Sequence, residues 1–149
     1  GKKICILGFA FKANTNDTRE SASINICRDL IEEGALLYIQ DPKVSPLQIS
    51  IDLGKKENKE LKNVKDKNLF MKFEGEWCFE QNIISAVEGA DSVVVLTEWE
   101  EYSSIDWQEV SKRMRKPSWV FDSRSIVCQE KVIDAKINFW RIGDGTLTK

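Results

Sequence analysis

A chain of 149 residues, 42% hydrophobic and 31% charged, is long enough for one domain with a substantial core. Its longest apolar runs, such as Val93 to Leu96, are strand-sized and too short to cross a membrane. A net charge of −2 gives no long-range attraction for nucleic acid or anionic lipid, and the absence of histidine with only four scattered cysteines speaks against a zinc or iron–sulfur site.

The first predicted element is a strand over Lys3 to Leu7, and it opens the chain so abruptly that it reads as the start of an excised piece. Gly8-Phe9-Ala10-Phe11-Lys12 follows it. A dinucleotide-binding turn places further glycines two and five residues after the first, where backbone must close on a pyrophosphate and helix on strand. Here those positions are Ala10 and Ala13, so phosphate in this place would be met largely by side-chain charge, and Lys12 carries it.

A polar loop over 13–18 leads into a helix over 21–33, in which Ile24, Cys27, Leu30 and Ile31 share a face, and Gly34 stops it. A second strand over 35–40 ends at Asp41-Pro42, a turn-forming pair; the reading of Asp41 as a ribose-binding acid is weakened by the missing glycines. Lysines interleaved with acids over 54–67 read as a solvated insertion, which we extend to about 54–77. A short strand over 69–73 and a helix over 79–88, closed by Gly89, come next.

Ser92 to Leu96 is a continuous β-branched run, the pattern of a parallel strand covered on both faces. Asp106 and Glu109 form a capping box for a helix that Pro117 stops. Strands over 118–121 and 138–142 bracket the tripeptide Asp122-Ser123-Arg124. Trp99, Trp107, Trp119 and Trp140 are expected in the core or in domain contacts, and the cysteines as reduced thiols of a cytoplasmic protein.

Five or six strands alternating with helices predict an α/β fold, a three-layer, doubly wound, mostly parallel sheet that is Rossmann-like but lacks the glycine-rich dinucleotide loop. Ligands of such sheets bind outside the carboxyl ends of the strands. Lys12, Thr97-Glu98 and Asp122 to Arg124 all fall on that edge, so Lys12 and Arg124 are expected to share an anion.

Gly8 to Lys12, Thr15-x-Asp17-Thr18-Arg19-Glu20-Ser21, Asp41-Pro42, Thr97-Glu98-Trp99 and Phe121-Asp122-x-Arg124 together resemble the carboxyl-terminal, UDP-binding domain of the UDP-glucose/GDP-mannose dehydrogenase family. The resemblance implies that residues 1–149 are one UDP-sugar-binding domain. Phe11, Lys12 and Arg124 would contact the nucleotide sugar, and Arg19 an NAD held mainly by another domain. It further implies that the whole enzyme oxidises UDP-glucose to UDP-glucuronate, that its catalytic cysteine lies outside this chain, and that the full-length protein is a homo-oligomer. No catalytic residue and no metal ligand is expected here. Ser123 stands where the family commonly has glycine, and UDP-N-acetyl-sugar or GDP-mannose dehydrogenases remain alternative specificities. Two other readings are a stand-alone dinucleotide-binding domain and a non-catalytic interaction module.

Overall fold

The computed structural model describes residues 2–64 and 73–141, with the backbone of 147–148. The strands are β1 (Lys3–Leu7), β2 (Leu36–Gln40), β3 (Glu76–Phe79), β4 (Ser92–Val95), β5 (Trp119–Asp122), β6 (Asn138–Arg141) and the two-residue β7 (Leu147–Thr148). The helices are α1 (Ala22–Glu32), α2 (Pro46–Leu53), α3 (Ile83–Val87), α4 (Trp107–Arg113) and α5 (Gln129–Asp134). The sheet order is β3-β2-β1-β4-β5-β6-β7; β1 to β6 are parallel, and β7 is antiparallel to β6.

The order runs outward from β1 in both directions, so the crossovers reverse between β1 and β4 and leave a crevice at their carboxyl ends. Right-handed crossovers put α1 and α2 on one face and α3, α4 and α5 on the other. Contacts between α1 and α2, between α3 and α4, and between α4 and α5 agree with this.

Several elements differ from expectation. Phe79 ends β3 instead of opening a helix, and α3 begins at Ile83 because Asn82 accepts a cap bond from the Ser85 amide. The strand predicted over 69–73 lies outside the described residues except for Phe73, which is not in a strand. Two helices join the set: α2, with Ser45 as its cap, Pro46 in its first turn and Gly54 left-handed at its end, and α5 after Cys128.

The lysine-rich segment enters the fold where it is described. Asn58 N–H donates to Trp77 O (2.9 Å), Trp77 Nε1 to Lys55 O (2.9 Å) and Phe79 N–H to Glu57 (2.6 Å). These bonds cover the outer edge of β3, an edge that would otherwise offer free amides to another chain. Leu61 is fully buried beneath it, and Tyr38 donates to its carbonyl (2.5 Å).

Burial alternates along the second half of the sheet. Val93, Val95, Val120 and Phe139 are buried against the α3–α5 layer, whereas Val94, Phe121 and Trp140 are only half-buried. The sequence expectation that β4 is covered on both faces is met on one. With Ile4, Ile26 and Leu30 these side chains line an apolar groove of about 290 Å³, and the Trp119 and Phe121 rings stack beside it at 5.6 Å.

Candidate diphosphate site at the carboxyl edge

The turn after β1 is fixed by close approach. Gly8 has φ +96°, and a Cβ there would lie 2.4 Å from Thr97 Cβ and 2.5 Å from its hydroxyl oxygen. Only glycine fits, for conformation and for space. The fully buried Thr97 donates through Oγ1 to Ala10 O (2.8 Å), tying the segment after β4 to the loop after β1.

Asp41, at the end of β2, is the centre of this arrangement. Its Oδ2 accepts the N–H groups of Phe9 (2.8 Å) and Ala10 (3.1 Å) and the Trp99 indole N–H (3.2 Å). Its Oδ1 accepts the amides of Lys43 (2.8 Å) and Val44 (2.9 Å), and the residue is 1% exposed. The bonds to Oδ1 are the Asp-Pro turn that the sequence predicts. The bonds to Oδ2 take up the amides that a dinucleotide-binding turn would present to pyrophosphate, so neither a ribose acid nor an anion-binding backbone loop fits here.

Beyond this anchor the loop carries the predicted residues. Phe11 N–H donates to Asp17 O (2.7 Å), while its ring is an exposed apolar surface at 42%. Core burial, the ordinary fate of such a ring, does not apply. Lys12 is exposed and has no hydrogen bond or ion pair among the described residues. Ser21 caps α1 and donates to Phe9 O (2.9 Å), closing the loop at its far end.

A second buried carboxylate shapes the turn after β5. Asp122 is 0% exposed; its Oδ1 accepts Arg124 N–H (2.9 Å), and its Oδ2 accepts Val127 N–H (2.9 Å) and Arg141 Nη2 (3.2 Å). Ser123, in the family's glycine position, donates its hydroxyl to Val95 O (2.6 Å) and fastens the turn to β4. The exposed Arg124 lays its guanidinium across two carbonyls, Nε to Leu96 O (3.0 Å) and Nη2 to Phe11 O (3.4 Å). It pairs with no carboxylate among the described residues, because Arg141 occupies Asp122.

Phe11, Lys12 and Arg124 are thus brought to one rim across the β1/β4 switch point. Arg19 is handled differently. Its guanidinium is bidentate on Asp17 (2.8 and 3.0 Å) and its side chain is 88% exposed. That pair, chiefly through its hydrogen bonds, holds the Asp17 carboxyl down at about 2.

Sequence reasoning did not anticipate Thr97 and Trp99 as partners of this loop; the signal was polar groups placed at strand ends, which are costly to bury unless bonded. Glu98, between them, has one carboxylate oxygen that is buried and without a hydrogen bond. Among the described residues no group of three or more His, Cys, Asp or Glu is placed to hold a metal ion, and no helix is long and apolar enough to cross a membrane.

Residues 5–129 match the UDP-glucose/GDP-mannose dehydrogenase family, UDP binding domain. UDP-glucose 6-dehydrogenase of Drosophila melanogaster is 39% identical over 142 residues, covering 95% of this chain and 28% of that protein. The enzyme of the same name from Pongo abelii is 42% identical over 126 residues, covering 85% and 24%. Among solved structures, a UDP-glucose dehydrogenase from Pyrobaculum islandicum superposes with TM-score 0.62 at 24% identity, covering 93% of this chain and 24% of that one. A UDP-D-ManNAc dehydrogenase from Pyrococcus horikoshii gives 0.65 at 24% identity, covering 97% and 26%. The chain therefore spans under a third of each of these proteins.

Proposed function

The chain belongs to the UDP-glucose/GDP-mannose dehydrogenase family as its UDP binding domain, and from that premise we propose that it anchors the nucleotide sugar in an NAD-dependent UDP-glucose 6-dehydrogenase that oxidises UDP-glucose to UDP-glucuronate. Lys12 and Arg124 hold the diphosphate, with Phe11 against the nucleotide sugar. One observation carries this reading: the Arg124 guanidinium reaches the carbonyl of Phe11, the residue before the exposed Lys12, and neither cation forms an ion pair among the described residues. Two such cations on one rim are suited to an anion with two phosphate groups.

Anchoring the nucleotide here turns binding energy far from the reacting carbon into orientation of the sugar, while the reacting groups come from the rest of the protein. NAD, when bound, accepts hydride. This chain's turn after β1 does not fit its pyrophosphate, since Asp41 takes the amides; Arg19, exposed beside the loop, is the residue suited to touch a cofactor held by another domain. The open apolar groove over β4 to β6 fits packing against another part of the same longer protein, whose relatives exceed this chain more than threefold in length. Sugar choice and homo-oligomer assembly then belong to those other parts. Four free thiols, three of them buried, suit a reducing, cytoplasmic setting.

Calorimetry with UDP and with NAD tests the reading. UDP binds and NAD does not, and Lys12→Ala and Arg124→Ala each weaken UDP by about 1.5–3 kcal/mol, the worth of a charge-assisted bond. Unaltered UDP affinity in both variants would end the proposal.

A further inference from the structure

Asp41 is a buried carboxylate bonded by five N–H donors and, among the described residues, by no cation. The donors come from three separate segments: the loop after β1, the turn after β2 and the segment after β4. The first of these carries Lys12, three residues beyond Phe9. The third continues from Leu96, whose carbonyl holds Arg124 Nε. One side chain therefore joins the supports of both rim cations.

We propose that Asp41 is a positioning residue for the diphosphate site, an internal anion that fills the turn after β1 and so fixes Lys12 beside Arg124. The inference rests on the reading of that rim as a diphosphate site. Phe9 and Ala10 are fully buried, so water does not replace the carboxylate when it is lost. Two amides and an indole N–H would be left without an acceptor, a cost large enough to make the turn refold around other partners. Lys12 moves with the turn. Arg124 loses its long bond to the Phe11 carbonyl (3.4 Å) but keeps Asp122 beneath it and the Leu96 carbonyl beside it, so the damage falls mainly on Lys12.

The same carboxylate explains how the site differs from a dinucleotide-binding turn. In that fold the turn's amides face the ligand and the binding anion is external. Here the anion is covalently part of the protein, the amides are spent on it, and ligand phosphate must be held by side chains on the outer side of the loop.

The test compares UDP with uridine, which lacks the diphosphate, on the full chain by NMR titration, for wild type, Asp41→Asn, Trp99→Phe, Lys12→Ala and the Asp41→Asn/Lys12→Ala double variant. Asn keeps the shape of Asp but turns one acceptor into a donor facing donors. Asp41→Asn is expected to lower UDP affinity about tenfold and to leave uridine within about twofold, and in the Lys12→Ala background its further effect on UDP falls below about twofold. Trp99→Phe keeps the carboxylate, removes one of its donors and gives the same pattern at a few-fold size. A role confined to stability predicts equal losses for UDP and uridine, or an undiminished loss in the Lys12→Ala background; either result overturns the proposal. If Asp41→Asn does not fold, Trp99→Phe decides by the same two criteria. Wild-type UDP affinity in Lys12→Ala would instead remove Lys12 from the diphosphate site, and this inference with it, while Arg124→Ala decides whether the site itself stands.

Discussion

The two edges of the sheet treat the same kinds of residue in opposite ways. At the amino edge the cations are spent on the protein. Lys3 is 2% exposed, donates to Glu88 O (2.6 Å) and lies 3.7 Å from the centre of the Tyr38 ring. Arg115 forks onto Asp91 with two bonds of 2.6 Å, and Lys116 donates to Ser111. At the carboxyl edge the acids are spent instead: Asp41 and Asp122 are buried, Asp41 on N–H groups and Asp122 on amides and Arg141, while Lys12 and Arg124 stay exposed with no carboxylate partner among the described residues. At the amino edge each of these cations is bonded within the protein, whereas at the carboxyl edge, beside the completed Arg141–Asp122 and Arg19–Asp17 pairs, two cations keep their charge for a partner from outside.

The largest effect expected from breaking this contrast is at Gly8→Ala. The added methyl meets Thr97 at 2.4 Å in a backbone with φ +96°, and because the contact is with Cβ and backbone, no flexible side chain can yield. A loss of about 3 kcal/mol or more is expected in urea denaturation. UDP binding falls with it, since Thr97 also holds the Ala10 carbonyl.

Asp91→Ala separates the edges more cleanly. It strips Arg115 of its fork and the Lys3 amide of an acceptor at 3.0 Å. The pair is partly solvated, so about 2 kcal/mol of stability is expected to go. UDP affinity is expected to stay, whereas Arg124→Ala reverses the pattern, with affinity lost and the denaturation midpoint kept. If Asp91→Ala weakened UDP as much as Arg124→Ala does, the division of labour between the edges would be wrong.

The contrast was half legible in the sequence. Lys12 and Arg124 could be placed on one edge because strand ends and crossover rules are local knowledge, and β1, β2, β4, β5 and β6 announce themselves in β-branched and apolar runs. β3 did not: Glu76-Trp77-Cys78-Phe79 is four residues long, emerges from a charged segment, and carries no alternation. For α2 the signal existed, in Ser45-Pro46 and Gly54, but eight residues with exposed Leu47 and Ile51 give no clear amphipathic stripe. Asp41 was legible as a turn former and not as an anchor. Its bond to Trp99 spans 58 positions, and only the strand order puts the two together.

A pH series gives a smaller effect and locates the titration in the core. Burial pushes the thiols of Cys5, Cys27 and Cys78 from 9.0 up to about 12. Groups raised on folding lend stability that is intact below the unfolded value and is lost as pH climbs from 9.0 toward 12. Lys3 opposes this, because burial lowers it from 10.5 to about 8, so its contribution rises with pH between those values. Three thiols outweigh one amine, and the urea midpoint is expected to fall between pH 8.5 and pH 10.5. Cys27→Ala, whose shift comes from desolvation alone, flattens that slope; an unchanged slope would mean that this thiol ionises in the folded protein as readily as in water.

Arg19→Ala is expected to do least, and that is its use. The guanidinium is exposed and, among the described residues, pairs with Asp17 alone, whose carboxyl is held at about 2 against an ordinary 3.8 by this fork and by the Arg19 amide. A depressed acid lends stability above its unfolded value and loses it as pH falls from 3.8 toward 2. Removing the Arg19 side chain therefore lets the Asp17 carboxyl rise only part of the way toward 3.8, because the residue-19 amide still donates to it (2.9 Å), a change that NMR of its carboxyl carbon reads directly, with a slight loss of neutral-pH stability and UDP affinity unaltered. Phe11 N–H bonds to the Asp17 backbone carbonyl and not to its carboxylate, so the loop that carries Lys12 does not depend on the pair. Loss of UDP affinity in Arg19→Ala would place this guanidinium among the diphosphate cations, and a completed pair at the carboxyl edge would then serve the ligand beside the two unpaired cations.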